Sequence, residues 1–298
     1  MSAPPLLDAA AIARLGDLEL RARVVVEGAL AGLHRSPHHG ASVEFAEHKR
    51  YAPGDDIRRI DWKAYGRVDR YYVKRFEEET ELRAYLVLDC SASMGYGADG
   101  RPSKLVYGSQ VAAGLAHLIL RQRDQAGLVA FAETIRHYLP PRARPGQLRE
   151  LLTTLAGLVP DGRTDLRGAL DYVAQVARRR SLIVLLSDLL DGGDDAVRLL
   201  RGLRARRHDV VLLHLLDGDE LELPFRGPTC FVGLEDHDEL LADPEAVGAA
   251  YRAEVAAFVA GLRRGCALGD VEYHLVDTRR PPGAVLLELL ALRGASPR

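Results

Sequence analysis

The sequence predicts an α/β protein: a doubly wound, mainly parallel sheet with helices on both faces, preceded by an N-terminal extension of helix and short strands. Two observations carry that expectation. Short apolar runs alternate with longer stretches of helical spacing, as strands buried on both faces by crossover helices require. Several of those runs end in Asp or Ser, at the carboxyl ends where open α/β sheets gather their ligands.

Along the chain, Leu15, Leu18, Leu20, Val24, Val25 and Leu30 are spaced as on a helix, and Pro37 and Gly40 then mark a loop. From Ser42 to Thr80 the sequence turns aromatic and charged, with Val43, Phe45, Tyr71, Val73 and Phe76 suggesting short strands. The alternation begins at the run Tyr85–Leu88, followed by a helix over Lys104–Arg121. Next come the run Gly127–Phe131 and helices over Gln147–Leu158 and Leu166–Arg179. The run Leu182–Leu186, an Arg-rich helix over Ala196–Arg207 and the run Val210–Leu213 follow. A long helix over Glu245–Arg264, a strand over Val271–Val276 and a short helix beyond Pro281-Pro282 complete the pattern, with a tail from Gly294. This places an extension in residues 1–80, the main domain in 81–280, and a C-terminal helix and tail in 281–298. No flexible linker separates the aromatic segment from the first core run, so the extension is expected to add to the main domain.

Composition narrows the function. Forty basic and forty-two acidic residues give a net charge of −2, which offers nucleic acid or an anionic membrane no general attraction. The apolar stretch Leu105–Leu120 is shorter than the roughly 18–20 residues that span a bilayer, and it contains Ser, Gln and His. The first twenty residues lack the basic start and apolar centre of a signal peptide. Three cysteines, Cys90, Cys230 and Cys266, lack metal-binding spacing and fit a reducing, cytoplasmic setting. Segment 49–75 holds nine Lys/Arg against four Asp, interleaved with aromatics. Its own acids, and Glu77-Glu78-Glu79 after it, point to internal ion pairs or a protein surface rather than nucleic acid. No phosphate-binding Gly-rich loop, nucleophile elbow or HExxH pair is present.

The chemistry gathers at the strand ends. Asp89-Cys90-Ser91-Ala92-Ser93 follows the first core run, Ser187-Asp188 follows Leu182–Leu186, and Thr164 lies in the loop before the Leu166 helix. Asp and Ser at alternate positions of one turn can aim three oxygens at a point, and such hard donors suit Mg²⁺ or Mn²⁺. A further set, Asp217 and Glu220, reads most simply as a device that starts a helix.

Asp89-x-Ser91-x-Ser93, Thr164 and Asp188, in that order, resemble the metal-ion-dependent adhesion site of von Willebrand factor type A domains. Upstream, Arg50-Tyr51-x-Pro53-Gly54-Asp55-Asp56-x-Arg58-x-Ile60-Asp61-Trp62 resembles the signature of the bacterial domain of unknown function 58 family, described alongside MoxR-type AAA+ ATPases. The resemblance implies a von Willebrand A-like fold. It also implies Mg²⁺ held by Ser91 and Ser93, with Asp89, Thr164 and Asp188 binding directly or through water. An acidic residue of a partner protein would then complete the ion's shell. It further implies a MoxR-type ATPase as partner, with Arg50, Tyr51, Asp55, Arg58, Asp61, Trp62, Asp217 and Glu220 as contact residues. This sequence departs at Arg163 and at Leu189, where Gly is common in type A domains, and at Gly218, where the family often has Pro. The rival reading is a Mg²⁺-dependent phosphoesterase or phosphotransferase using Asp89. Against it, no general acid or partnering Lys motif stands beside Asp89 in the sequence.

Overall fold

The computed structural model describes Leu18 and residues 48–50, 72–74, 82–98, 100–190 and 193–295. The chain divides into two compact units, one comprising residues 1–36 and 82–298 and the other residues 37–81. Within the smaller unit, strands β1 (His48–Arg50) and β2 (Tyr72–Lys74) pair antiparallel in a sheet of their own rather than extending the main one. Val73 lies in β2 as expected, whereas Val43, Phe45, Tyr71 and Phe76 lie outside the described residues. So does the proposed N-terminal helix, apart from Leu18, which is helical and buried.

The larger unit runs through β3 (Arg83–Asp89), α1 (Lys104–Arg121), β4 (Gln125–Phe131), β5 (Ile135–Arg142), α2 (Gln147–Ala156), α3 (Leu166–Val176) and β6 (Leu182–Ser187). It continues through α4 (Gly193–Ala205), β7 (Asp209–Leu216), α5 (Gly218–Glu222), β8 (Thr229–Val232), β9 (Glu239–Ala242), α6 (Pro244–Leu268), β10 (Glu272–Asp277) and α7 (Pro282–Ala295). Six strands form the main sheet in the order β10-β7-β6-β3-β4-β5, parallel except for the antiparallel edge strand β5. The doubly wound fold class expected from the alternation therefore holds.

Side-chain alternation along each strand divides the core into two layers. On one face Ala84, Leu86 and Leu88 of β3 pack with Val111 and Ala112 of α1, Leu151 of α2 and Leu286 of α7. On the other, Tyr85 and Val87 pack with Leu170 of α3, Leu200 of α4 and Leu262 of α6. Helix α1 is buried on most of its surface, which explains its length of apolar sequence, and Ser103 caps its start by accepting from the Val106 amide at 3.3 Å. Among the described residues no helix is long and apolar enough to cross a membrane.

Two elements escaped the sequence reading. Strand β5 carries Pro140 and Pro141, residues that discourage a strand reading, yet at an edge their missing amides leave no ladder bond unmade. The β8–β9 hairpin is a pair of four-residue strands, with alternating burial in β8 but exposed residues through most of β9. Runs that short do not stand out by periodicity.

Candidate functional site

The sheet order creates one topological switch point. From β3 the chain crosses to β4 on one side, and later returns to β6 on the other, so a crevice opens beyond the carboxyl ends of β3 and β6. Register sets what faces it. Leu88 pairs with Leu186, so Asp89 emerges beside Ser187, and Asp188 follows one residue on. The Ser187 hydroxyl donates to one Asp89 oxygen at 2.7 Å, and the Ser91 amide donates to the other at 3.0 Å. A short 3₁₀ turn over Ala92–Gly95 brings the Ser91 and Ser93 hydroxyl oxygens to within 3.2 Å of each other. The structure thus brings Asp89, Ser91, Ser93 and Asp188 together, all four buried.

The loop before α3 joins this group through its backbone. The Ala92 amide donates to the Gly162 carbonyl at 2.8 Å, and the Asp161 amide donates to that of Cys90 at 3.0 Å. Thr164 therefore lies in a loop stitched to the Asp89 turn, but its side chain is engaged elsewhere. Its amide and hydroxyl donate to the two oxygens of Glu235, at 3.1 and 3.0 Å, on the tip of the β8–β9 hairpin. Arg163 is exposed, and its amide donates to Glu133.

Besides Glu235, sequence reasoning missed two groups here. Lys104, in the first turn of α1, is fully buried and donates to Asp188 at 2.8 Å and to Glu220. Burial pulls its ammonium toward the neutral form, but the two carboxylates outweigh that and leave its pKa above the ordinary lysine value. Burial also raises the Glu220 carboxyl, with Lys104 opposing. The only signal in the sequence was a lysine directly after a helix-capping serine downstream of the Asp-Ser turn. The second group is His214 of β7, which faces the Asp188 carbonyl through Nε2 at 2.8 Å and the Tyr273 hydroxyl through Nδ1 at 2.9 Å. A carbonyl only accepts, so Nε2 carries the proton and Nδ1 accepts from Tyr273. Burial holds this imidazole neutral, with its pKa pushed down to about 4.

Leu189 makes visible why glycine suits the position after the aspartate. Its backbone is left-handed, with φ of 52°, and its side chain is nonetheless 1% exposed. Asp217 and Glu220 form a capping box at the start of α5. Asp217 also accepts from Arg101 and Thr278, each at 2.8 Å, tying the ends of β7 and β10 together. Cys90 is a buried thiol donating to the Phe131 carbonyl, its pKa pushed up to about 12 by burial and then by Asp89. In α4, Arg198 pairs with Asp195, while Arg201 donates to the Gly265 carbonyl and Arg204 to Asp209, so the arginine row does more than face solvent. Arg50 is placed only as the last residue of β1. Tyr51, Asp55, Arg58, Asp61 and Trp62 lie outside the described residues.

Among the described residues no group of three or more His, Cys, Asp or Glu side chains is placed to hold a metal ion. An ion here would rest on the serine hydroxyls, and the residues present fit that demand. Among the described residues Asp89 has no cationic partner, and burial and then the Asp188 charge push its pKa up to about 7. A hard cation against Asp89, Ser91 and Ser93 would relieve that repulsion. Asp89 is fully buried, with one hydrogen bond accepted on each oxygen.

Similarities to known proteins agree with the sequence signature. The family described as protein of unknown function DUF58 matches residues 47–260. Uncharacterised proteins of Mycobacterium tuberculosis and Mycobacterium bovis are each 32% identical over 265 residues, covering 85% of this chain and 81% of theirs. Partial structural likenesses include the conserved hypothetical protein BatB of Bacteroides thetaiotaomicron, at 15% identity and a TM-score of 0.47 over 72% of this chain and all of that one. An aerotolerance-related membrane protein of Bacteroides fragilis, solved with multiple mutations to serines, aligns at 17% identity over 72% of this chain and 98% of that one, with a TM-score of 0.47. The VWA domain of SpRpn10 aligns at 15% over 45% of this chain and 75% of that one, with a TM-score of 0.35. Those scores describe a general shape; the family model and the mycobacterial relatives decide the assignment. On their strength the chain belongs to the DUF58 family.

Proposed function

We propose that this protein is a metal-dependent protein–protein interaction module, with Mg²⁺ or Mn²⁺ held by Asp89, Ser91, Ser93, Thr164 and Asp188. The observation that carries the reading is the convergence of Asp89, Ser91, Ser93 and Asp188, all buried, at the switch point of the sheet. The ion would supply a positive centre for an acidic side chain of another protein; it is glue at an interface and not a catalyst. This chain's residues do the rest. Ser187 and the Ser91 amide orient Asp89, and Lys104 and His214 fix the two ends of Asp188.

The partner class, a MoxR-type AAA+ ATPase that this protein would serve as adaptor or co-factor in the cytoplasmic assembly or maturation of other proteins, is implied by the resemblance of the Arg50–Trp62 segment alone. Calorimetric titration with Mg²⁺ and Mn²⁺ tests the site: the wild type binds, and Ser91→Ala/Ser93→Ala loses at least tenfold in affinity. Equal binding by both proteins sinks the assignment. Capture of a MoxR-type ATPase that survives both EDTA and the double substitution would show that the contact does not run through the ion. Turnover of an aryl phosphate that is lost in Asp89→Asn would overturn the reading in favour of an enzyme.

A further inference from the structure

We propose that the β8–β9 hairpin is a built-in competitor for this site: Glu235 holds Thr164 in the place of a partner's acidic side chain, and partner binding requires the hairpin tip to release. The proposal rests on the interaction-module reading above and adds its regulation.

Glu235 reaches across 71 residues of sequence to a loop with which its own strands are not paired. Both carboxylate oxygens are used, one by the Thr164 amide and one by its hydroxyl, a two-point grip that a single chance contact does not produce. The grip falls on the residue whose hydroxyl the metal site requires, in the loop whose backbone is bonded to Cys90 and Ala92. The hydroxyl spends its proton on Glu235 and keeps its lone pairs, so the contact leaves the ion's proposed ligand intact and sets a carboxylate beside it.

The tip is shaped to present this residue. The Gly233 amide donates to the Asp238 carbonyl at 2.8 Å, His237 closes the turn with φ of 62°, and a side chain at Gly233 would collide with Asp236. The hairpin is otherwise lightly held. Val232, Leu234, Leu240 and Leu241 are all exposed large apolar residues, so little buried apolar area opposes its departure. Phe225 meets Phe231 edge-on at 5.7 Å, which anchors the base and leaves the tip to move.

A hairpin closed about nine-tenths of the time lowers the apparent affinity for an outside carboxylate about tenfold. Glu235→Ala and Glu235→Gln remove the competing charge from an exposed turn without touching the core. The probe is the tripeptide glycyl-aspartyl-glycine, titrated calorimetrically into Mg²⁺-loaded full-length protein. The expected result is about tenfold tighter binding in Glu235→Ala, with Mg²⁺ affinity unchanged within about twofold. Equal peptide affinity in wild type and variant, with Mg²⁺ bound in both, overturns the competitor and leaves the metal reading standing. Absence of Mg²⁺ binding in both removes the metal reading instead. Hydrogen exchange of the metal-free proteins then judges the grip separately. The Thr164 amide and residues 229–242 should exchange about tenfold faster in Glu235→Ala, and unchanged exchange overturns the proposal whatever the metal does.

Discussion

Replacing Lys104 by Met keeps the volume and removes the charge from the most constrained cation of the site. The Lys104 side chain is 0% exposed, and those of Asp188 and Glu220 are 2% and 18% exposed. At 2.8 Å and an effective dielectric of about 20, the gross attraction to Asp188 is about 6 kcal/mol, and dehydrating the ammonium offsets part of it. Removing one partner of such a pair leaves a buried charge uncompensated and costs about 3–5 kcal/mol. Solvent reaches Glu220, which places the loss near the lower end, about 3 kcal/mol. At roughly 2–4 °C per kcal/mol that is a fall in Tm of about 6–12 °C. Urea denaturation of Lys104→Met in EDTA measures it. Repeating the series with Mg²⁺ adds the second half of the test. Without the ammonium, Asp188 is left to the ion alone, so Mg²⁺ should recover more stability in the variant than in wild type, up to about 2.7 kcal/mol at a hundredfold excess over Kd. A loss below about 1 kcal/mol in EDTA would refute the role of the ammonium. Equal Mg²⁺ stabilisation in both proteins would refute the sharing of Asp188.

His214→Phe should cost about 2–4 kcal/mol by denaturation, because the Asp188 carbonyl and the Tyr273 hydroxyl both lose a buried partner. At Leu189, glycine relieves about 1–2 kcal/mol of left-handed strain and loses one buried Cβ more than alanine does, so Leu189→Gly should be at least as stable as Leu189→Ala, reversing the usual order. The Tyr85 phenol is pushed up to about 12 by burial and then by Tyr138, so the native state keeps a proton that the unfolded chain loses above pH 10. Its contribution is therefore full below pH 10 and lost as pH rises through 12; Tyr85→Phe should flatten the alkaline decline by about 2 kcal/mol or less.

How much of this was legible in the sequence follows from what fixes each feature. The runs Tyr85–Leu88, Leu182–Leu186 and Val210–Leu213 are central parallel strands, buried on both faces, so their continuous apolarity names them without help. Asp89, Ser91, Ser93 and Asp188 were legible because strand ends and turns are local, and the register between β3 and β6 then delivers them to one crevice. Lys104, His214 and Glu235 were not, because each earns its place by a contact 26 to 84 residues away in sequence. A lone Lys, His or Glu carries no periodicity that points to such a partner. His214 also sits inside an apolar run, where a polar residue looks like an interruption and is instead a neutral hydrogen-bonded wedge.

The charge count at the switch point explains why these hidden residues matter to the visible ones. Asp89, Asp188 and Glu220 bring three carboxylates into a buried neighbourhood, and Lys104 supplies one positive charge there. Lys104 reaches Asp188 and Glu220 and leaves Asp89 to hydrogen bonds from Ser187 and the Ser91 amide. Burial, and then the charge of Asp188, push the Asp89 carboxyl well above the ordinary carboxylate range, to about 7. Two remedies exist, a proton or a cation. A proton on the Asp89 oxygen that faces Ser187 would turn that contact around, with the serine hydroxyl accepting, while the Ser91 amide still donates to the other oxygen. A divalent cation leaves both donations in place and draws in the Ser91 and Ser93 oxygens, already 3.2 Å apart. On the proposed reading the cation is the remedy at Asp89, and Lys104 is the arm that spares Asp188 from the same deficit.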